Sequence, residues 1–377
     1  MDINTSEIFI QSIRSALTRK CELAESFDVK SLWELASIHD LAHLVSLGFS
    51  RLGKSELLGE YNDKFTSAQV RAVFRHVKIV KELNDMTSAF ERAGIDFIFL
   101  KGSKLRFYYP EPWMRTSSDI DVLIRGSEKE VDEVLQKLNY TYLDEWHYER
   151  RYDTPSGVHI EVHTEICDDD EKVNGYLLGV WDRAVPEEGY THKYRMDDTT
   201  FLFYHVAHIA KHFCDGGCGV RPFIDLFILG GRGESEEFFR MLGDTGLTSF
   251  YEAAKALSGI WFSGLKTVAP VGMDEYVLRG GLFGTYENAV NVNGRKGKFR
   301  YILSRLFPPY RDMREMYKVL RRHKWLLPAL YIARWFKILF KALGGKGRDE
   351  MKAISNMDKK RVEDTQKLFE DLGLRQS

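Results

Sequence analysis

The chain has 377 residues, enough for two or three domains with a core in each. Its hydrophobic share of 44% and charged share of 29% are ordinary for a soluble globular protein. Lys and Arg number 54 against 55 Asp and Glu, which gives no global signal for binding a polyanion, although such a sum averages away any local basic patch.

The opening MDINTSEIFIQSIRSAL reads as a polar, capped amphipathic helix rather than a leader segment. The four cysteines, Cys21, Cys167, Cys214 and Cys218, are sparse, so the expected setting is a reducing cytoplasm with free thiols. Residues 5–94 read as helical throughout. SLWELASIHDLAHLVSLGFSRLG has apolar residues at helical spacing and a Gly stop, and a long helix opens at Thr66 or Ser67 and closes at Gly94.

The texture changes at residue 95. IDFIFL predicts a short buried strand, SKLRFYY a short helix, PEPWMRTSS a loop, and DIDVLI a second strand. A helix follows with Ser127 as its N-cap and Glu130 three residues on, the capping-box pattern. YERRYDT and VHIEVHTEI flank PSG and predict a hairpin. From residue 196 the chain reads as helical again, with a looser stretch over 268–299, a basic and aromatic region after it, and a solvated final helix. The expected class is α+β. A small mixed sheet over 95–195 lies between an N-terminal helical region (1–94), a helical domain (196–290) and a basic C-terminal region (291–377).

Alternation along DIDVLI sends Asp119 and Asp121 to one side of the strand and Ile120 and Val122 to the other. Two carboxylates so close repel each other unless water or a cation intervenes. Mg²⁺ is the usual partner of such oxygens when a nucleotide phosphate supplies further ligands. HIEVHTEI offers a third carboxylate, because its alternation puts His159, Glu161, His163 and Glu165 on one face. Gly102 after the first strand lets backbone N–H groups approach a phosphate, and Ser103 can donate its hydroxyl to it. Lys101, Lys104 and Arg115 are the cations at hand.

The combination of strand, Gly102-Ser103, helix, Asp119-Ile120-Asp121 strand and a later Glu161 resembles the nucleotidyltransferase superfamily typified by DNA polymerase β. That superfamily's signature is Gly-Gly or Gly-Ser, a short helix, then Asp-x-Asp or Asp-x-Glu on a strand. More closely, the chain is similar to a bacterial group described only as uncharacterised nucleotidyltransferases. Lys101, Tyr109-Pro110, Arg115 and His163 carry that likeness, with His208, Lys211, His212, Arg221 and Asp225 in a later helical segment and FPPYRDMREMY beyond it. It covers roughly residues 60–340. Lys101 stands where many superfamily members have an apolar residue.

The resemblance implies a transferase that moves a nucleoside monophosphate from an NTP such as ATP to a hydroxyl of a small acceptor, for example a sugar- or envelope-related one. Asp119 and Asp121 would hold two Mg²⁺ ions, and Glu161 would ligate the acceptor-side ion and help take the hydroxyl proton. Gly102, Ser103, Lys101, Lys104 and Arg115 would seat the nucleotide. His163, His208, Lys211, His212 and Arg221 would line the substrate side. Two alternatives stand beside it: a nucleotide-binding regulatory module without turnover, and transfer onto a protein.

Other clusters invite other chemistry. His208, His212, Cys214 and Cys218 have the ligand types of a zinc site, and His208, His212 and Asp225 those of a hydrolase metal site. Against both, His205, His208 and His212 also make the semi-polar stripe of a packed helix. No apolar run reaches about 18 residues, so no membrane span is expected. The nearest run, residues 325–343, is broken by Arg334, Lys337 and Lys341. It reads as an amphipathic helix that either packs on its own domain or touches an anionic membrane, with nucleic acid the less expected partner.

Overall fold

The computed structural model describes residues 3–19, 23, 26–146, 149–166, 170–282, 284–293, 303, 306–343 and 358–374. The chain divides into two units, one of residues 1–209 with 220–269 and one of residues 210–219 with 270–377.

The first unit opens with α1 (Ile3–Thr18), α2 (Val29–Ile38), α3 (Ala42–Arg51) and the long α4 (Asn62–Ala93). Buried Phe65, Ala72, Ile79, Leu83, Met86 and Phe90 recur at helical spacing along α4, which therefore presents one continuous apolar stripe. Gly94 ends it in the left-handed conformation at φ 70°, a position that favours a residue without a Cβ. The helix starts at Asn62, a turn before the Thr66 or Ser67 that the sequence suggests.

There follow β1 (Asp96–Phe99), α5 (Lys101–Leu105), β2 (Asp119–Arg125), α6 (Glu128–Lys137), β3 (Thr141–Trp146), β4 (Glu149–Asp153) and β5 (His159–His163). Then come α7 (Glu171–Leu177), β6 (Ala184–Pro186), β7 (Lys193–Met196), α8 (Asp198–Cys214), α9 (Arg221–Leu229), α10 (Glu236–Thr245) and α11 (Thr248–Ser263). Ser127 and Glu130 cap α6 reciprocally, as the pattern predicts. The strands form one mixed sheet in the order β3-β4-β5-β2-β1-β7-β6. This is the expected α+β class. The β4–β5 hairpin is present, but β3, β6 and β7 go beyond the sequence reading: none has a run of alternating apolar residues, and pairing with a neighbour defines them.

Helices α4 and α6 cover one face of the sheet. Ile79, Leu83, Phe90, Val131 and Leu135 pack there against Phe97, Ile120, Val122, Ile160 and Val162. The covering helices leave the opposite side chains of β2 and β5 to form the site.

The second unit contains α12 (Met273–Gly280), α13 (Tyr286–Asn293), α14 (Tyr310–Met316), α15 (Leu327–Leu343) and α16 (Lys359–Asp371). In its interior Phe213 stacks on Tyr276 with ring centroids 4.5 Å apart, and the Tyr276 hydroxyl donates to the Phe213 carbonyl at 2.8 Å.

The loop between α5 and β2 is held from α3. His43 is buried and its Nε2–H donates to the Met114 carbonyl at 2.9 Å. Burial pushes the imidazole down to about 4, below its ordinary 6.5. The folded pKa lies below the unfolded one, so this group's stabilisation is complete above about pH 6.5 and is lost as pH falls toward 4, to a maximum of about 3 kcal/mol. The gap in thermal midpoint between the native chain and His43→Gln is expected to narrow as pH is lowered from neutrality toward 4. A gap that does not change with pH would remove this account.

Candidate active site

Strand β2 lies between β1 and β5, antiparallel to the first and parallel to the second. The β2–β5 register sets Asp121 directly opposite Glu161, and Asp119 opposite His159. Alternation does the rest: Ile120, Val122, Ile160 and Val162 enter the core, and Asp119, Asp121, Glu161 and His163 face away from it. The sidedness expected from the sequence is therefore observed. Among the described residues, one group of three has the geometry to ligate a metal ion: Asp121, Glu161 and His163 each offer a ligand atom, and these lie within 4.8 Å of one another. Asp119 is not in that group, and His159 pairs instead with Asp153 where β4 ends and β5 begins.

The electrostatics of the cluster turn on Lys101. Its backbone takes φ 41°, an uncommon conformation for a residue with a Cβ, at the junction of β1 and α5. From there its Nζ reaches the Asp121 carboxylate at 2.7 Å. The His163 Nε2–H donates to the same carboxylate oxygen at 3.3 Å. Burial works to raise the Asp121 pKa, but the Lys101 ammonium and the imidazole outweigh it and hold this carboxyl well below the usual range. Burial likewise opposes the charge on Lys101, and Asp121 more than offsets that, so the ammonium is held charged.

The other two carboxyls have no such partner. Burial, then the neighbouring Asp121, then Glu149 push Glu161 up to about 8. Burial and Asp121 raise Asp119, with Lys101 and Arg115 partly offsetting them. One Lys thus satisfies one of three carboxyls, and the site is short of positive charge. Two carboxylates and an imidazole converging on that shortage are a donor set that a hard divalent cation fits.

Tyr204, on α8, also belongs to this site. It is buried, its hydroxyl bonds with Lys101, and burial raises its pKa. The sequence reading passed over it. The available signal was its position four residues before His208 on one helix face; the two rings lie 6.1 Å apart.

Gly102 and Ser103 are both buried, and the Ser103 Oγ has no hydrogen-bond partner. A buried hydroxyl left unpaired is costly, so this atom is available for a ligand oxygen. Lys104 is paired with Glu187 at 2.9 Å.

The two arginines singled out from sequence are anchored in the protein. Arg115 donates through Nε to Asp225 at 2.8 and 3.1 Å, and the Tyr109 hydroxyl donates to the same carboxylate at 2.6 Å. Arg221 donates to Asp40 at 2.8 Å and to the Thr116 hydroxyl at 3.0 Å, and Arg75 holds Asp40 from the other side at 3.0 Å. Arg106, wholly buried beneath Gly102, donates to the Gly102 carbonyl at 3.2 Å and to the Ser117 hydroxyl. Burial lowers its pKa to about 9. These guanidiniums tie α4, α9 and the loop before β2 into one buried polar network. Asp40, Arg75 and Arg106 carried no sequence signal, because their partners are distant along the chain.

His208 lies on the part of α8 in the first unit; Lys211 and His212 fall in the second unit. Cys214 and Cys218 are free thiols, and burial pushes Cys218 up to about 12. Among the described residues, neither pair joins a metal-ligating group, so the zinc and hydrolase alternatives gain no support.

A mixed sheet with acidic groups on its open face and a Gly-Ser step beside them is the arrangement expected of a nucleotidyltransferase-like protein, and the part-buried Lys101 on the central Asp is this chain's addition to it. The family model described as "Uncharacterised nucleotidyltransferase" matches residues 25–263, and the chain belongs to that family. No curated protein and no solved structure matches it.

Two variants probe the roles of the buried cations. Lys101→Met leaves Asp121 without its counter-charge and is expected to cost about 3 kcal/mol in metal-free protein. Saturating Mg²⁺ should recover more of the thermal midpoint in this variant than in the native chain; equal gains would separate Lys101 from the metal-ligating group. Arg115→Lys loses the Nε–H that Asp225 receives together with the Nη1 bond to the Thr116 carbonyl, and is expected to cost about 2 kcal/mol while leaving the Mg²⁺-dependent gain intact. An unchanged midpoint with lost nucleotide affinity would instead make Arg115 a nucleotide contact.

Proposed function

We propose that the protein is a Mg²⁺-dependent nucleotidyltransferase that moves a nucleoside monophosphate from an NTP, ATP first among them, to a hydroxyl of a small-molecule acceptor. The observation that carries this reading is the cross-strand pair Asp121 and Glu161 with Asp119 alongside, three acidic groups with one Lys among them. Asp119, Asp121 and Glu161 are the proposed holders of two Mg²⁺ ions, which when bound offset the charge on the phosphate oxygens. His163 stands beside Asp121 as a further ligand or as its orienting hydrogen-bond donor.

The proposed roles of the chain's own residues follow from their chemistry. Ser103 offers its unpaired Oγ to a phosphate oxygen, and Gly102 lets the backbone approach. Lys101 supplies a fixed positive charge beside the phosphates. Glu161, facing Asp121 across the two strands, is the carboxylate placed to take up the acceptor hydroxyl's proton. The acceptor oxygen bonds to the α-phosphorus, the bond from that phosphorus to pyrophosphate breaks, and the proton passes to the Glu161 carboxylate. Lys104 and Arg115 border the nucleotide side in this reading, and His208 and Arg221 the acceptor side.

The near-zero net charge favours a small acceptor, such as a sugar-related or envelope metabolite, over a long polynucleotide. The free thiols favour a cytoplasmic setting. A binding module without turnover is the rival reading, and the Lys101–Asp121 pair favours it to the extent that an ammonium already serves as the cation.

Calorimetric titration of ATP, GTP, CTP and UTP, with and without Mg²⁺, separates the two. Mg²⁺-dependent binding of at least one nucleotide is expected, weakened about 100-fold or more by Asp121→Asn. Binding that ignores both Mg²⁺ and the substitution would establish the module, and no binding of any nucleotide would sink the proposal.

A further inference from the structure

A marked charge asymmetry lies in the second unit. Between Lys318 and Leu343 there are seven Lys or Arg and no Asp or Glu. The whole chain nets −1, whereas residues 291–377, which include this segment, carry 22 Lys or Arg against 9 Asp or Glu. Much of the segment is α15, in the second unit.

One side of α15 is docked on its own unit. The Tyr331 hydroxyl donates to the Pro308 carbonyl at 2.6 Å, and the Trp335 Nε1–H donates to the Leu306 carbonyl at 2.8 Å. The Phe307 ring sits between them, 5.5 Å from Tyr331 and 5.1 Å from Trp335. That side accounts for two of the large aromatics. A different side carries Pro328, Ala329, Ile332, Ala333 and Phe336, at spacings of three and four, all exposed to water. Ile332 is 49% and Phe336 57% exposed, and Trp325, on the turn before the helix, is 75% exposed. Apolar side chains left in water along more than two helical turns form a contiguous patch of the kind that marks an interaction surface. Arg322, Lys324 and Lys337 are exposed on the same stretch.

We infer that this face is a peripheral membrane-binding surface, and that α15 lies flat on an anionic lipid bilayer with Trp325, Ile332 and Phe336 inserted at the headgroup boundary. Charge complementarity selects the occupant: a segment with seven cations and no carboxylate, inside a C-terminal region that is basic as a whole, fits anionic headgroups. The apolar stripe selects hydrocarbon over nucleic acid. RNA offers phosphates for the cations but no aliphatic layer for a continuous Ala, Ile and Phe stripe. Trp at the end of such a stripe suits the interfacial zone, where an indole buries its rings and keeps its N–H wet. Among the described residues no helix is long and apolar enough to cross a membrane, so the contact proposed lies on the surface. This inference is independent of the transferase reading.

Flotation of the full chain tests it, with vesicles of phosphatidylcholine alone and vesicles containing about one-third phosphatidylglycerol. The native chain is expected to float with the anionic vesicles and not with the neutral ones, and to be released by high salt. The double variant Ile332→Glu, Phe336→Glu, at positions already in water, is expected to keep the native circular dichroism and to bind anionic vesicles at least about tenfold more weakly. Failure of the native chain to float with either vesicle overturns the proposal. So does equal flotation of the double variant, which would leave charge alone as the cause. A single-stranded RNA oligonucleotide run in parallel settles the remaining alternative: RNA binding without vesicle binding would assign the basic segment to nucleic acid.

Discussion

The site is organised around one ion pair, the Lys101 ammonium on the Asp121 carboxylate at 2.7 Å. Two adjacent strands, each with one apolar face, must bury those faces together, and in doing so they bring their acidic faces side by side. The register then places Asp121 against Glu161, with Asp119 one step along the strand. Like charges at that spacing, partly withdrawn from water, are unfavourable. Lys101 relieves one of them. What remains shows in the raised carboxyls of Glu161 and Asp119.

Reaching Asp121 requires an unusual backbone. Lys101 sits at positive φ between the end of β1 and the start of α5, and the Leu100 N–H donates to the Asp121 carbonyl at 3.0 Å, holding the strand end beside β2. Behind this junction lies the arginine network. Asp225 receives Tyr109 and Arg115, Asp40 receives Arg75 and Arg221, and Arg106 braces Gly102 and Ser117. Asp225 and Asp40 each hold donors from separate elements, so the long connection from α5 to β2 is tied at several points despite its lack of regular structure. Residues that a family motif presents as candidate ligand contacts can thus serve first to hold the loop that carries the site.

Much of this was legible in the sequence because it is local. Strand alternation alone separates Asp119 and Asp121 from Ile120 and Val122, and Glu161 and His163 from Ile160 and Val162. The Ser127–Glu130 cap and the Gly94 stop depend on residues within a turn of each other. The Gly-Ser step and the Asp-Ile-Asp strand carried the family likeness that the match over residues 25–263 bears out. The zinc-like histidines and cysteines show the limit of such reading: side chains of the right type at suggestive spacing are not a site unless the fold converges them.

By itself, then, the sequence determined the class of the fold, the sidedness of the acidic strands and the family, because each rests on spacing within a few residues. Tertiary structure alone decided that β5 lies parallel to β2 in the Asp121–Glu161 register, that Lys101 is the counter-ion, and that Tyr204 joins them from α8. It alone also decided that Arg115 and Asp225, 110 residues apart, are partners. The physical reason is the same throughout. A buried charge takes the partner that packing brings within about 3 Å, and the chain between them carries no mark of that choice.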